Sequence, residues 1–174
     1  TGYKFYDTDG TQKDCLQLLK DRGMNTIRLR VWVNPSNDKA SGHCSKEETV
    51  AMAVRAQKMG MRIMIDFHYS DSWADPGKQN KPAAWKDHTF AELLNDVYFH
   101  TEDVLKALKK AGVTPEWVQV GNEIPGGMLW PEGSTDNFGQ WAQLLNKGYE
   151  ATKAVDSKIK VIVHLDEGNN SKKF

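Results

Sequence analysis

Apolar residues along the chain follow two periods, one typical of strands and one typical of helices. Dense or alternating apolar residues predict four strands, at residues 26–33, 61–67, 117–121 and 159–165. A stretch with apolar residues at helical spacing precedes each strand, so the order is helix then strand, repeated four times. The first three helices are predicted to end at Gly23, Gly60 and Gly112.

The beginnings of two helices carry capping signals. Thr11 is followed three residues later by Asp14, a pair that resembles a capping box and predicts a helix start at Thr11. Ser45 and Glu48 form a second capping box before the next helix. Both signals stand shortly before an apolar stripe, which supports the predicted helices.

Repeated helix-strand units predict an α/β fold with parallel strands and right-handed crossovers. The strand at residues 61–67 is apolar on both faces, as a parallel sheet covered on two sides requires. Two architectures fit this pattern, an open doubly wound sheet and a (β/α)8 barrel. The G-x-G-x-x-G motif of dinucleotide-binding sheets is absent from the sequence, which removes one common form of the first.

Polar side chains cluster at or just beyond the carboxyl end of every predicted strand. In chain order they are Arg28, Arg30, Asp66, His68, Gln119, Asn122, Glu123, His164 and Asp166. Alternate residues of a strand point to the same face, so such side chains converge if the sheet closes into a barrel. Barrel enzymes carry their active sites at this end. The pattern therefore favours a barrel enzyme with its site at the carboxyl ends of the strands.

Several of these side chains also have a structural interpretation. Arg28 and Asp66 are candidates for an ion pair inside the sheet, and His68 for a hydrogen-bonded core histidine. Asp71, in the loop beyond, is a candidate turn cap. Glu123 is the hardest to explain structurally, because it follows a strand directly after an amide side chain. A carboxylic acid there can protonate the leaving oxygen of an acetal, which is the chemistry of glycoside hydrolysis.

Three of the six tryptophans lie in segments rich in Gly, Pro and Asp, which predict loops. They are Trp73, Trp85 and Trp130. Loops run over the protein surface, so aromatic rings there more often form ligand platforms than core. Sugar rings present flat C–H faces that stack on such platforms, which fits the same chemistry.

Composition and charge exclude several classes of protein. The 39% hydrophobic share is that of a folded chain, and 23 Lys and Arg balance 23 Asp and Glu, so no nucleic-acid partner is expected. No apolar run approaches the roughly 20 residues that span a bilayer, so no membrane partner is expected. Cys15 and Cys44 are predicted to be independent thiols, with a disulfide as the alternative. No spacing typical of a metal or cofactor site is present, so neither is predicted.

Three motifs resemble those of one enzyme family. They are I-R-L-R-V-W-V-N-P at residues 27–35, D-F-H-Y-S-D-S-W-A-D-P at 66–76 and G-N-E at 121–123. Together they resemble glycoside hydrolase family 53, the arabinogalactan endo-β-1,4-galactanases of the Asn-Glu clan of (β/α)8 barrels. L-W-P at 129–131 and H-L-D at 164–166 add to the resemblance. The eleven-residue motif is highly specific, whereas Asn-Glu alone is shared by many barrel glycosidases.

The resemblance implies a retaining hydrolase of β-1,4-galactan that uses two catalytic glutamates. Glu123 matches the general acid/base, and Asn122 matches the hydroxyl-binding asparagine before it. Arg28 matches the arginine on the second barrel strand, and His68 the polar residue on the third. The candidate sugar contacts are Asp71, Trp73, Trp85, Trp130 and Asp166. A polysaccharide substrate implies a location outside the cell or at its surface, and no cofactor is implied.

The strand count predicts that residues 1–174 form only part of a barrel. A (β/α)8 barrel takes about 250 residues, and the resemblance aligns the four predicted strands with strands two to five. Strand one, strands six to eight and the nucleophilic glutamate of strand seven are then expected outside the chain. We expect this partial catalytic domain to need the remainder of the barrel as its partner and to be inactive alone.

Other functions fit the same residues. One is an Asn-Glu barrel glycosidase that acts on a different β-linked polysaccharide. Another is a carbohydrate-binding remnant that keeps the sugar platform without turnover. An unrelated doubly wound sheet with polar strand ends is the remaining alternative, and it would carry no such site.

Overall fold

A computed structural model describes residues 2–169 of the chain. In chain order the elements are β1 (Phe5–Tyr6), β2 (Gln12–Lys13), α1 (Cys15–Asp21), β3 (Thr26–Val31), α2 (Lys46–Lys58), β4 (Arg62–Phe67), α3 (Phe90–Lys110), β5 (Trp117–Val120), α4 (Phe138–Val155) and β6 (Lys160–Ile162). Two short 3-10 helices, Ala83–Trp85 and Thr135–Asn137, lie in the loops before α3 and α4.

Strands β3, β4, β5 and β6 pair in that order as a parallel sheet, and a helix connects each successive pair. The predicted α/β fold with parallel strands is thereby confirmed. Strands β1 and β2 form a separate antiparallel hairpin, which the sequence did not predict because two-residue strands leave no alternation to detect. Within residues 2–169, β3 and β6 each have one strand neighbour, so the sheet is open at both edges.

The predicted start of the first helix at Thr11 is wrong. Asp14 is the N-cap of α1, and its carboxylate accepts hydrogen bonds from backbone N–H groups of the first helical turn. Thr11 precedes β2, so the hairpin occupies the residues that the predicted helix would have used. The capping box at Ser45 is confirmed, with both of its reciprocal hydrogen bonds present.

All four strands are shorter than their apolar patterns predict, β4 and β5 by one residue and β3 and β6 by more. After β3 the backbone leaves the sheet ladder, because the Trp32 N–H donates to the Cys44 carbonyl and the Val33 N–H to the Ser70 carbonyl. In β6 only three residues pair, although the apolar alternation continues through Val163 and Leu165. These two side chains are exposed, since no strand within residues 2–169 covers that edge.

The core lies between the sheet and its helices. Ile63, Ile65 and Phe67 of β4 are buried in one cluster with the apolar faces of α2 and α3. Helix α4 approaches β5 closely at Gly148, where a Cβ would lie 2.5 Å from a methyl group of Val120. Glycine is therefore required there for the helix to sit on the sheet. The side chains of opposite parity in β4 point to the other face, where polar groups gather.

The amino-terminal ends of β4, β5 and β6 are joined by Arg62, Glu116, Trp117 and Lys160, which we call the amino-end cluster. Glu116 pairs with Arg62 at 2.7 and 2.8 Å and with Lys160 at 3.0 Å. Both cations also lie over the Trp117 ring, 4.3 and 5.5 Å from its centroid. The hydrogen bonds from Arg62 and Lys160 lower the pKa of Glu116 to about 2.

Cys15 and Cys44 are free thiols. Burial raises the pKa of the Cys44 thiol, which disfavours its reactive thiolate form. As for membranes, none of the helices within residues 2–169 combines the length and apolar character needed to cross a bilayer.

Candidate active site

Polar side chains from adjacent strands meet at the carboxyl end of the sheet. Arg30, Asp66 and Gln119 share one register row across β3, β4 and β5. Five side chains at this end form a hydrogen-bonded set that we call the carboxyl-end network. Its members are Arg28, Asp66, His68, Gln119 and Asn122.

Asp66 is the centre of this network and is fully buried. One carboxylate oxygen accepts from Arg28 Nη2 at 2.8 Å and lies 3.1 Å from His68 Nε2. The other accepts a hydrogen bond from Gln119 Nε2. A buried carboxylate is tolerated only when it is paired and hydrogen-bonded, and these three groups meet that requirement. The ion pair that the sequence suggested for Arg28 and Asp66 is therefore present.

His68 is buried and uses both of its ring nitrogens within the protein. The Ala74 N–H donates to His68 Nδ1 at 3.2 Å, so Nδ1 is an acceptor. The ring proton is then assigned to Nε2, which donates to Asp66. His68 thus orients Asp66 and ties the loop after β4 to the sheet, rather than presenting a nitrogen to a substrate.

Asn122 is 6% exposed, and its amide is anchored from several directions. Its Oδ1 accepts from Arg28 Nη2 at 2.6 Å and from Gln119 Nε2 at 3.3 Å. Its Nδ2 donates to the Ala74 carbonyl at 2.8 Å. The amide therefore has a fixed orientation, and in the described part of the chain Nδ2 has the Ala74 carbonyl as its one acceptor.

Glu123 follows Asn122 in a left-handed turn beyond β5. Its φ is 48°, and Gly121 two residues earlier has φ of 82°, a conformation that favours glycine. Within residues 2–169, no hydrogen bond or ion pair engages the Glu123 carboxylate. The turn therefore presents an unpaired carboxyl group beside a fixed amide, which is an arrangement suited to proton transfer.

His164 and Asp166 follow β6 on the other side of this turn. The Glu123 N–H lies 3.3 Å from His164 Nδ1, and the same nitrogen lies 3.0 Å from Asn122 Oδ1. A neutral Nδ1 accepts from the first group or donates to the second, so the tautomer decides which contact forms. The half-buried Asp166 lies two residues farther along the chain.

The three predicted sugar-stacking tryptophans have different surroundings. Trp73 is 46% exposed, and the Arg30 guanidinium lies 4.2 Å from its ring centroid. Trp130 is partly buried, and its Nε1 donates to the Gly126 carbonyl at 2.9 Å. Trp85 is only 7% exposed and packs edge-on against His100 in the core. The interpretation of Trp85 as a surface platform is therefore withdrawn, because the 3-10 helix that carries it turns its ring inward.

Asp71 connects two loops instead of presenting its carboxylate to the mouth of the sheet. One oxygen accepts from the Asn34 N–H at 2.9 Å and the other from the Ala83 N–H at 2.8 Å. The structural interpretation of Asp71 as a backbone cap accounts for both contacts, and we do not retain it as a sugar contact.

The sequence offered no signal for Gln79, which lies in the long loop after β4. Its side-chain amide contacts the carbonyls of Asn122 and Glu123. A single polar residue in a polar loop has no periodicity or motif that would indicate such a contact. Among residues 2–169 we find no group of three or more His, Cys, Asp and Glu side chains arranged to hold a metal ion.

Comparisons with known proteins point to one family. The family described as glycosyl hydrolase family 53 matches residues 1–174. An arabinogalactan endo-β-1,4-galactanase of Thermothelomyces thermophilus is 39% identical over 169 residues, which are 96% of this chain and 49% of that protein.

Solved structures of the same family superimpose closely. The catalytic domain of the family 53 enzyme of Ignisphaera aggregans matches with a TM-score of 0.88 and 42% identity, over 94% of this chain and 47% of that one. A fungal β-1,4-galactanase matches with a TM-score of 0.90 and 36% identity, over 99% of this chain and 51% of that one. The chain thus spans about half the length of the relatives it matches.

Proposed function

The chain belongs to glycosyl hydrolase family 53, and from that premise we propose that it is part of an endo-acting hydrolase of β-1,4-galactan. The observation that carries the proposal is the Glu123 carboxylate, which has no hydrogen bond or ion pair within residues 2–169 and lies beside the anchored Asn122 amide at the carboxyl end of a parallel sheet. The names of the galactanase relatives supply the substrate class.

We assign Glu123 as the general acid and base of a retaining mechanism. In the first step its carboxylic acid gives a proton to the glycosidic oxygen, while a nucleophilic glutamate forms a bond to the anomeric carbon and the sugar leaving group departs. In the second step the Glu123 carboxylate takes a proton from water, whose oxygen displaces the nucleophile. The chain contributes the acid and base in this scheme and does not contribute the nucleophile.

The nucleophile and the missing strands are assigned to sequence outside these 174 residues. The sheet is open at β3 and β6 within residues 2–169, and the chain covers about half of its solved relatives. Retention requires the two carboxyl groups to lie about 5–5.5 Å apart. With only one of them present, the 174-residue chain alone is expected to be inactive.

The carboxyl-end network prepares the site around Glu123. Asn122 is assigned to a sugar hydroxyl through its second Nδ2 proton. Arg28 has a side chain that is 44% exposed beside Asp66, and we assign it to face the nucleophile, where its positive charge favours the ionised form. His68 is assigned as a positioning residue through Asp66.

Sugar contacts are assigned to the exposed aromatic groups near this end. Trp73 offers a half-exposed ring whose geometry is fixed by Arg30 and by an edge-on contact with Trp32. Trp130 and Asp166 are retained as further contacts. A galactan chain is too large to be met inside a cell, so we place the enzyme outside the cell or at its surface.

The experiment that tests this proposal compares polysaccharides with the full-length protein that contains this chain. Soluble β-1,4-galactan should lose viscosity quickly and release mixed oligosaccharides, while xylan and mannan stay intact. Preferential cleavage of xylan or mannan would replace galactan with another β-linked substrate. Galactan binding without any turnover would instead support a carbohydrate-binding protein and contradict the proposed enzyme.

A further inference from the structure

Gln79 places a buried side-chain amide directly against the backbone of the proposed acid and base. The residue is 2% exposed, and its Nε2 lies 2.9 Å from the Asn122 carbonyl oxygen and 3.1 Å from that of Glu123. A third acceptor, the Asp75 carbonyl, lies at 3.0 Å. The two protons of this amide therefore donate to three carbonyl oxygens, and one proton is shared between two of them.

The Gln79 amide contacts a backbone whose conformation other contacts must stabilise. Glu123 has φ of 48°, in the left-handed region that non-glycine residues rarely adopt and that persists where surrounding contacts impose it. At the amide nitrogen of the same residue, the Glu123 N–H lies 3.3 Å from His164 Nδ1, and the Ile124 N–H donates to the His164 carbonyl at 3.0 Å. The Gln79 amide and His164 thus hold the Glu123 backbone from two sides.

The backbone of Gln79 is itself fixed to the next loop. Its carbonyl accepts from the Trp130 N–H at 2.8 Å. Beside it, Lys81 forms an ion pair with Glu132 at 2.8 Å, which joins the same two loops again. The side chain that holds Glu123 is therefore anchored by several contacts and does not depend on one flexible segment.

We propose that Gln79 is a positioning residue that fixes the direction of the Glu123 carboxyl group toward the leaving oxygen. This inference rests on the proposed function, since it needs Glu123 to act as the acid. Gln79 itself touches neither the substrate nor the reacting atoms. Its loss changes where the acid points, and misplacement of a catalytic group by about 1 Å can reduce the rate about 100-fold.

A misplaced acid has a kinetic signature that a general loss of folding lacks. A sugar alkoxide is a poor leaving group and needs the proton, whereas a dinitrophenolate leaves without one. Removing the Gln79 donor should therefore slow the cleavage of galactan far more than the step that releases dinitrophenolate from an aryl β-galactobioside. A loss of folded protein would lower kcat on galactan and the amplitude of the dinitrophenolate burst by the same factor.

The test uses the full-length protein with Gln79→Met, which keeps the length of the side chain and removes its donors. We expect kcat on galactan to fall about 100-fold, with the dinitrophenolate burst changed far less. Gln143→Met is the matched control, because Gln143 is an exposed glutamine on α4, and both rates should stay unchanged. Equal losses on the two substrates, or no loss on either, would overturn the inference.

Two further outcomes keep the test interpretable. If Gln79→Met does not fold, Gln79→Asn shortens the side chain by one methylene and moves the donor away from the Glu123 carbonyl. The ratio of kcat on galactan to the rate of the dinitrophenolate burst should then still fall. An unchanged ratio would contradict the role of Gln79. If the unaltered protein does not cleave galactan, or if Glu123→Gln leaves its rate unchanged, the proposed function fails instead, whatever Gln79→Met does.

Discussion

The two ends of the same parallel sheet carry charged groups of similar chemistry in different environments. At the carboxyl end, Asp66 meets Arg28 with its own side chain 1% exposed. At the amino end, Glu116 meets Arg62 and Lys160 with its side chain 33% exposed. Each carboxylate joins side chains from neighbouring strands, so the contrast lies in burial.

Burial changes what each group does. Water can replace a lost ion-pair partner at the amino end, so the amino-end cluster contributes little to stability. Its carboxylate, Glu116, is engaged by Arg62 and Lys160. A lost partner at the carboxyl end leaves a charge inside the protein, so the groups there hold one another in fixed positions. Next to them only Glu123 keeps an unengaged carboxylate among residues 2–169. Rigid neighbours around one available acid are what a catalytic site requires.

The largest difference between the two ends should follow from neutralising their central carboxylates. Asp66→Asn leaves Arg28 without its ion pair and turns an amide donor toward Gln119 or His68. Because this donor is buried and lacks an acceptor, the free energy of unfolding should fall by about 1–3 kcal/mol. Urea denaturation of the full-length protein at pH 7 measures this loss.

Glu116→Gln is the matched substitution at the amino end, and its loss should be much smaller because both of its ion pairs face water. Similar losses from the two variants would contradict the distinction between a buried network and an exposed cluster.

A second prediction uses His100, which packs edge-on against Phe67 at the carboxyl end of β4, 5.7 Å between ring centroids. Burial lowers its pKa to about 4. Unfolded histidine takes up a proton near pH 6.5, so the unfolded state binds more protons between pH 6.5 and 4. The free energy of unfolding should therefore fall as the pH drops from 6.5 to 4, by about 3 kcal/mol from His100.

His100→Phe should remove that dependence. Its Nε2 is buried and has no hydrogen-bond partner among residues 2–169, so phenylalanine breaks no hydrogen bond there and removes the titratable group. Thermal melting of both proteins from pH 7 to 4 measures the effect. Parallel pH profiles would show that His100 is not the titrating group.

The smallest predicted effect is the acid response of the amino-end cluster. Its ion pairs lower the pKa of Glu116 to about 2 from 4.5. The unfolded carboxylate protonates first as the pH falls, so the stability from these pairs is present above pH 4.5 and lost toward pH 2. Glu116→Gln should remove the pH dependence of stability only between pH 4.5 and 2. Raised salt should weaken the same dependence in the unaltered protein. A change between pH 6.5 and 4.5 would contradict the assignment.

Local signals predicted much of the fold. The capping box at Ser45 and the order of helices and strands follow from adjacent residues, and both are present. The apolar pattern predicts a longer β6 than the structure has, because residues such as Val163 continue the pattern although no strand within residues 2–169 pairs with them. The helix start predicted at Thr11 is wrong because the hairpin before α1 has too few residues to leave a pattern.

Only part of the site could be read from the sequence. Arg28 lies on β3 and Asn122 and Glu123 directly follow β5, so their positions on or just beyond predicted strands indicated the site. Gln79 reaches Glu123 across a 44-residue separation, and no local signal encodes such a contact. The surface position predicted for Trp85 is wrong for the same reason, because only the packing of its short helix turns the ring into the core.

The most direct test of the proposed acid and base is Glu123→Gln in the full-length protein. Turnover of β-1,4-galactan should fall about 100- to 10,000-fold, and Glu150→Gln, an exposed glutamate on α4, should leave it unchanged. Azide should restore the release of an activated aryl leaving group by Glu123→Gln and yield the β-glycosyl azide, because it attacks the glycosyl-enzyme without needing a base. Near-normal turnover of galactan by Glu123→Gln would contradict the assignment of Glu123.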